Sequence, residues 1–198
     1  GDEYPVLKLN EVRDFQTGIY DYNVMTSSFV RIDGRIPLGL PDKLTFSMQE
    51  WCGHVFEELS VTGAQLTRTL SSYFDGESAP TSVSPAPPGG VVADLMPLLV
   101  RDLVGVLLAP GETRSVPWLP SAGGRRMAHR PFGWGTATLA RSAATESVQV
   151  PAGRFDAYTV TAVTDDGVSA VWTVEAAAPR RLLRWSRSDG EEAVLTGV

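Results

Sequence analysis

Three side chains that could do chemistry together lie close to one another near the middle of the chain. Glu50, Cys52 and His54 occupy every second position, and they continue the apolar–polar alternation of residues 44–49. A period of two is typical of a half-buried strand. The sequence therefore predicts a strand over Lys43–Trp51 whose continuation places a carboxylate, a thiol and an imidazole on the buried face.

These groups are compatible with several kinds of site. In a catalytic site Cys52 would be the nucleophile, His54 the base and Glu50 the orienting group. The same residue types ligate zinc, but the chain has one cysteine, and only His129 could add another imidazole. Because buried polar groups are usually satisfied by ordinary hydrogen bonds, we expect a structural cluster or a ligand-contacting site before catalysis or metal binding. A bulge at Gly53 would turn His54 to the opposite face.

Length and composition limit the class of protein. The chain has 198 residues, 43% of them hydrophobic, and a formal net charge of −6. These values indicate a globular chain and argue against a general nucleic-acid binder. We expect a single β-rich domain over residues 1–198. The sequence shows no signal peptide, and the longest apolar stretch, Val91–Ala109, is interrupted by charges and is a poor transmembrane candidate.

The elements around the central strand include an arginine that needs a partner. Residues 64–74 alternate like a strand and place Arg68 on the apolar face, where Glu50 is the partner we would name. Residues 75–90 are rich in Pro, Ser and Gly, which predicts a surface loop. Residues 91–108 are apolar on nearly all sides, which predicts one buried helix.

The predicted helix suggests either an ordinary core element or a lid over a lipid-sized cavity, with Met96, Leu99 and Leu103 facing the ligand. Trp134 follows an arginine-rich stretch and could also cover an apolar ligand. Turn signals at residues 165–167 predict a hairpin in the last third of the chain. Without crossover helices the sheet should be antiparallel. The predicted fold is mainly β, a strongly curved antiparallel sheet or partly open β-barrel with one helix at about 91–108.

The final third resembles a known group of proteins. The residues that carry this resemblance are Val150–Tyr158, Trp172, Pro179–Leu182 and Ser188–Gly190. They resemble uncharacterised bacterial envelope β-proteins, which look like the periplasmic lipoprotein carriers of the LolA and LolB kind. Gln49–His54 also resembles a motif in uncharacterised secreted or lipid-anchored proteins of Gram-negative bacteria. The resemblance implies a curved sheet and an envelope location, either periplasmic or lipid-anchored at the outer membrane, and it brings no catalytic residues.

Three hypotheses about function follow. The first is a non-enzymatic envelope protein that binds a lipid or another apolar or amphipathic ligand in a helix-covered half-barrel. The second is a hydrolase or metal-dependent enzyme that uses residues 50–54. The third is a structural or partner-binding envelope module, with another envelope protein as the possible partner. We favour the first and expect no cofactor and no bound metal. Its candidate ligand-binding residues are Glu50, Cys52, His54, Arg68, Met96, Leu99, Leu103 and Trp134.

Overall fold

The computed structural model describes residues 3–198, so Gly1 and Asp2, at which the predicted domain begins, lie outside the described residues. Strands account for 54% of the chain and helices for 7%. The predicted fold class is confirmed: the protein is mainly β, with curled antiparallel sheet of the half-barrel kind. The chain forms two compact units. That residues 1–198 make a single domain stays a prediction.

The first unit comprises the described residues up to Leu95 together with Pro120–Gly133. Its main element is a six-stranded antiparallel sheet in which the strands follow one another in chain order. These strands are β1 (Val6–Thr17), β2 (Tyr20–Arg31), β3 (Lys43–Glu50), β4 (Gly53–Thr62), β5 (Gln65–Ser72) and β6 (Ala79–Pro85). The unit also contains the short strand β7 (Val91–Val92), a 3-10 turn (Ala93–Leu95) and the helix α2 (Ala122–Met127).

The second unit comprises Met96–Leu119 and Trp134–Val198. Its strands pair in the order β14-β13-β12-β11-β9-β8, and β10 also pairs with β11. Their bounds are β8 (Thr113–Leu119), β9 (Gly135–Arg141), β10 (Glu146–Val150), β11 (Gly153–Thr164), β12 (Ser169–Glu175), β13 (Leu182–Arg187) and β14 (Glu192–Val194). The hairpin predicted at residues 165–167 joins β11 to β12, because Gly167 adopts the positive φ that this turn requires.

One face of the first sheet forms the core of its unit. Leu44, Phe46 and Met48 are buried at alternate positions of β3, as the period of two predicts. Opposite them on β4, Val55 and Leu59 are also buried. We call this side the inner face and the opposite, more polar side the outer face.

The helix predicted over residues 91–108 is not formed. The only helical residues in this stretch are the 3-10 turn and the single-turn helix α1 (Met96–Leu99). Asp102 has a φ of 51°, which no α-helix accommodates. Its carboxylate instead accepts hydrogen bonds from Arg141 at 2.7 Å and Arg180 at 2.9 Å. The apolar residues of the stretch are largely buried, so the pattern indicated burial correctly but not the backbone conformation.

Residues 75–90 are not a loop throughout. They include β6, whose side chains are nearly all exposed and which pairs with β5 at the edge of the first sheet. Proline is tolerated in an edge strand because the N–H that it lacks can belong to the solvent-facing side, where no neighbouring strand needs it. Pro80 and Pro85 lie in β6, so a composition typical of a loop also suits an exposed edge.

Candidate functional site

The central sequence cluster forms a tight turn between two strands. β3 ends at Glu50, residues 51 and 52 make the turn, and Gly53 pairs with Glu50 at the start of β4. Glu50 is buried at the inner face, Cys52 is exposed in the turn, and His54 is exposed beside Gln49 of the outer face. The prediction that Glu50, Cys52 and His54 share one face is wrong, because the chain reverses direction after Glu50.

Glu50 accepts hydrogen bonds from two residues at this turn, Tyr73 and Cys52. The Tyr73 hydroxyl donates to one carboxylate oxygen, and the Cys52 backbone N–H donates to the other at 3.0 Å. The Tyr73 bond, followed by the Cys52 N–H bond, lowers the pKa of Glu50 below its ordinary value. Burial, followed by the neighbouring Glu50 carboxylate, raises the pKa of Tyr73. Glu50 is therefore a charged, hydrogen-bonded residue that fixes the position of Tyr73.

Gly53 allows this arrangement because Tyr73 packs directly against it. A Cβ atom at position 53 would lie 2.5 Å from Cγ of the Tyr73 ring, which is too close for two carbon atoms. Any larger residue would move the ring and withdraw its hydroxyl from Glu50. The turn thus requires a small residue here for a packing reason.

Cys52 lacks the environment of an activated nucleophile. Its hydrogen bond with Glu50 raises the pKa of the thiol above its ordinary value, which disfavours the reactive thiolate. The alternation of β4 places His54 on the opposite face from Glu50. Within residues 3–198, no group of three or more His, Cys, Asp and Glu side chains could hold a metal ion.

Arg68 pairs with a different acid from the one predicted. Its Nε donates to Glu57 at 2.6 Å, and Glu57 also accepts a hydrogen bond from Arg125 at 2.8 Å. Arg68 therefore belongs to a buried charge cluster rather than to the turn. The guanidinium of Arg68 lies 4.7 Å from the centroid of the Phe132 ring.

The remaining predicted ligand residues belong to the second unit. Met96 and Leu99 are buried, whereas Leu103 is exposed in the irregular stretch that follows α1. Trp134 is half-buried, and its indole N–H has no hydrogen-bond partner within residues 3–198. Neither unit alone contains the whole predicted set, because Glu50, Cys52, His54 and Arg68 lie in the first unit.

Sequence reasoning missed a cluster of aromatic side chains at one end of the first sheet. The β1–β2 turn, the β3–β4 turn and the end of β5 lie at this end, as the antiparallel register requires. We call the cluster the aromatic end; its members are Phe15, Tyr20, Tyr22, Trp51, Tyr73 and Phe74. Aromatic residues beside each of these chain reversals were the available signal, but their convergence depends on the register of three strand pairs.

The rings of the aromatic end contact one another in pairs. Tyr20 and Trp51 meet edge to face with centroids 5.6 Å apart, and Phe15 stacks on Tyr22 at 5.1 Å. Trp51 is 66% exposed and Tyr20 is 43% exposed. A monomeric protein seldom leaves such rings together in water without a use for them. The geometry therefore makes this end a candidate binding surface.

A basic segment borders the aromatic end. We call residues 120–133 the anchoring segment, because α2 holds it against the inner face. Arg126 forms an ion pair with Glu77, and its guanidinium lies 4.3 Å from the centroid of the Phe74 ring. His129 meets the same ring edge to face at 6.5 Å. The surface therefore combines apolar rings with cationic and hydroxyl groups.

No protein-family model, curated protein or solved structure matches the chain. The resemblance of the final third to envelope β-proteins stays a prediction. Among residues 3–198, no helix is long and apolar enough to cross a membrane.

Proposed function

We propose that the protein is a non-enzymatic binding protein that takes an apolar or amphipathic ligand at the aromatic end. The observation that carries the proposal is the exposure of Trp51 and Tyr20, which lie at two different hairpin turns and contact each other. When a ligand covers two such rings, a large apolar area is removed from water. Each Å² of this buried area stabilises the complex by about 25 cal/mol. An ordered aromatic surface is therefore a favourable site for a ligand with an apolar part.

The polar groups around the rings favour an amphipathic ligand over a purely apolar one. Tyr20 and Tyr22 carry hydroxyls, and Arg126 adds a cation beside Phe74. Tyrosine is suited to such surfaces because its ring is apolar while its hydroxyl can bond to water or to a polar head group. Glu50 supports this surface indirectly, since its carboxylate already accepts bonds from Tyr73 and Cys52.

The proposed ligand is still apolar or amphipathic, as the sequence predicted, but it binds at the aromatic end and not beneath a helix. A lid helix over residues 91–108 cannot cover the ligand, because the structure contains no such helix. The expected envelope location remains part of the proposal, and its support is the resemblance of the final third and of Gln49–His54. Subcellular fractionation of the native host tests this location. The protein should be recovered together with periplasmic or outer-membrane proteins, and recovery with cytosolic proteins would contradict an envelope location.

Tryptophan fluorescence tests the binding site. Trp118 and Trp172 are buried, whereas Trp51 is the most exposed tryptophan that the structure describes. Titration with a monomeric lysophospholipid should shift emission to shorter wavelength and protect Trp51 from acrylamide quenching. Tyr20→Ser should weaken this binding about tenfold, because it removes the ring that contacts Trp51.

The matched control for this titration is Tyr4→Ser. Tyr4 is 44% exposed, close to the 43% of Tyr20, but it precedes β1 and so lies at the opposite end of the first sheet. Its replacement should leave the lysophospholipid affinity unchanged. Equal weakening by both variants, or an emission spectrum that the lysophospholipid does not change, would rule out the aromatic end as the ligand site.

A further inference from the structure

β1 is a long edge strand. Within the described part of the first unit it is terminal in the strand order, and its only strand neighbour there is β2. Its residues from Val12 to Thr17 are all exposed. An edge of this length presents a row of backbone N–H and C=O groups that another strand can pair with.

The turn that ends β1 determines which residues present those groups. Thr17 and Tyr20 close a two-residue turn, so they form a hydrogen-bonded pair. Hydrogen-bonded and non-hydrogen-bonded pairs alternate along an antiparallel ladder. Counting back from Thr17, Val12 opposite Met25 occupies a non-hydrogen-bonded position. The N–H and C=O of Val12 therefore point away from β2, toward the free edge.

We infer that β1 pairs with β1 of a second copy of this chain, antiparallel and centred on Val12. In this register residue i of one copy lies opposite residue 24 − i of the other, so residues 7–17 of both copies overlap. Glu11 then lies opposite Arg13 of the second copy, and the two-fold symmetry repeats this pair. Within one chain Arg13 and Glu11 already lie 3.0 Å apart, so four alternating charges meet beside the symmetry axis.

The outer pairs of this register are also complementary. Leu9 lies opposite Phe15, which joins two apolar side chains on the inner face. Asn10 lies opposite Asp14, which joins an amide donor to a carboxylate acceptor on the outer face. Cross-strand pairs of these kinds stabilise a sheet.

Other registers bring unfavourable pairs together. Centres at Lys8, Glu11, Arg13 or Asp14 place that charge opposite its own copy, which is destabilising. A centre at Asn10 places four charged residues opposite apolar ones; these charged residues are Lys8, Glu11, Arg13 and Asp14. A centre at Leu9 places Glu11 opposite Leu7 and shortens the overlap. Among the registers in which more than half of β1 overlaps, the charge pattern thus selects the one centred on Val12.

The test combines sedimentation with charge exchange in the full chain. The wild type should show a concentration-dependent monomer–dimer equilibrium in analytical ultracentrifugation. Glu11→Arg alone and Arg13→Glu alone should each raise the dimer dissociation constant at least about tenfold, because each sets like charges opposite one another. The double variant with both changes should restore dimerisation. Circular dichroism spectra that match the wild type show that each variant is folded.

Disulfide trapping locates the symmetry axis. In a Cys52→Ser background, Val12→Cys should crosslink two copies on oxidation, since opposed residues of a hydrogen-bonded pair have Cα atoms about 5.5 Å apart. The matched control is Val83→Cys on the other edge strand, because Val83 is 63% exposed and Val12 is 56% exposed. A wild-type chain that stays monomeric at submillimolar concentration overturns the inference. So does equal crosslinking at both positions, or a double charge variant that fails to dimerise.

Discussion

At the scale of single residues, the turn between β3 and β4 shows how one carboxylate organises its neighbours. Glu50 holds the Tyr73 hydroxyl and the Cys52 N–H, and Gly53 leaves room for the Tyr73 ring. The thiol of Cys52 gains no activation from this arrangement, because the carboxylate raises its pKa. Of the three residues that looked catalytic in the sequence, Glu50 therefore serves to position an aromatic side chain, whereas His54 lies on the outer face.

Tyr73→Phe should lower stability in a pH-dependent way. The bond from Tyr73 lowers the pKa of Glu50, so it stabilises the folded state above the unfolded-state pKa of this carboxyl group. That contribution is lost as the pH falls through the folded-state pKa. The variant should therefore be less stable than the wild type at pH 7 and nearly equal to it once Glu50 is protonated in both. Denaturant unfolding at a series of pH values measures the difference.

Tyr158→Phe is the control for this experiment. The Tyr158 hydroxyl donates to the Val100 carbonyl at 2.7 Å, an acceptor that does not titrate. Its removal should lower stability by a similar amount at pH 7 and in acid. If the loss from Tyr73→Phe were equally independent of pH, the proposed link between Tyr73 and the charge of Glu50 would be wrong.

At the scale of elements, the anchoring segment is held to the first sheet by buried charges. Glu57 on β4 accepts bonds from Arg125 on α2 and from Arg68 on β5. Asp94 accepts a bond from the Ala122 N–H at the start of α2, at 3.0 Å. Two glycines give this short helix little intrinsic stability, so these contacts and the burial of Ala122 must hold it in place.

Glu57→Gln should therefore be strongly destabilising. The change leaves two arginines without their shared anion, and removing one partner of a buried ion pair costs about 3–5 kcal/mol. The matched control is Glu58→Gln, because Glu58 is the next residue on β4 but pairs with Lys43 at 3.0 Å in a more exposed ion pair. The control should cost less than about 1 kcal/mol. Equal losses in urea unfolding would contradict the role of Glu57.

Asp94 should make stability fall as the pH rises through the weakly acidic range. Burial, opposed by Arg125, raises the pKa of Asp94 to about 6 from its ordinary 3.8. The folded state then holds a proton that the unfolded state has lost, so stability decreases between about pH 4 and pH 6. Asp94→Asn keeps an acceptor for the Ala122 N–H and should remove this decrease, which amounts to at most about 3 kcal/mol. Urea unfolding from pH 4 to pH 7.5 checks this, and an unchanged slope in the variant would count against it.

At the scale of the whole molecule, the chain builds two compact units from interleaved segments. The first unit uses the residues before Met96 and then Pro120–Gly133, while the second uses the stretch between them and the rest of the chain. The basic, glycine-rich residues 120–133 thus belong to the first unit, although the residues just before and after them belong to the second. Composition contains no signal for this return, since it depends on Glu57 and Asp94 meeting Arg125 and Ala122.

The fold class was predictable because it rests on local patterns. The alternation of Leu44, Phe46 and Met48 predicted β3, and residues 165–167 predicted the β11–β12 turn. The stretch 91–108 was not predictable in the same way. A run that is apolar on all sides indicates burial, but it does not distinguish a helix from a buried irregular chain that Asp102 organises.

The candidate site was only partly predictable. Residues 50–54 were singled out by residue type, but the two-residue turn at Trp51 and Cys52 could not be distinguished from a continuing strand. The partner of Arg68 depended on the register of β4 against β5, which places Glu57 within reach. The aromatic end could not be predicted, because it forms only when three strand pairs have the correct register at the same time. Local spacing and residue type therefore singled out the right residues, but they predicted neither the turn that these residues form nor the surface built around it.

Native mass spectrometry of protein purified from its native host without detergent tests the binding function most directly. The wild type should carry a non-covalent mass that is lost on denaturation, and Trp51→Ser should lack that mass. Val83→Ser is the control, because Val83 is exposed to a similar extent on β6; it should keep the bound mass. A bare wild-type chain, a mass retained by Trp51→Ser, or a mass that stays on Cys52 after denaturation would contradict a reversible ligand site at the aromatic end.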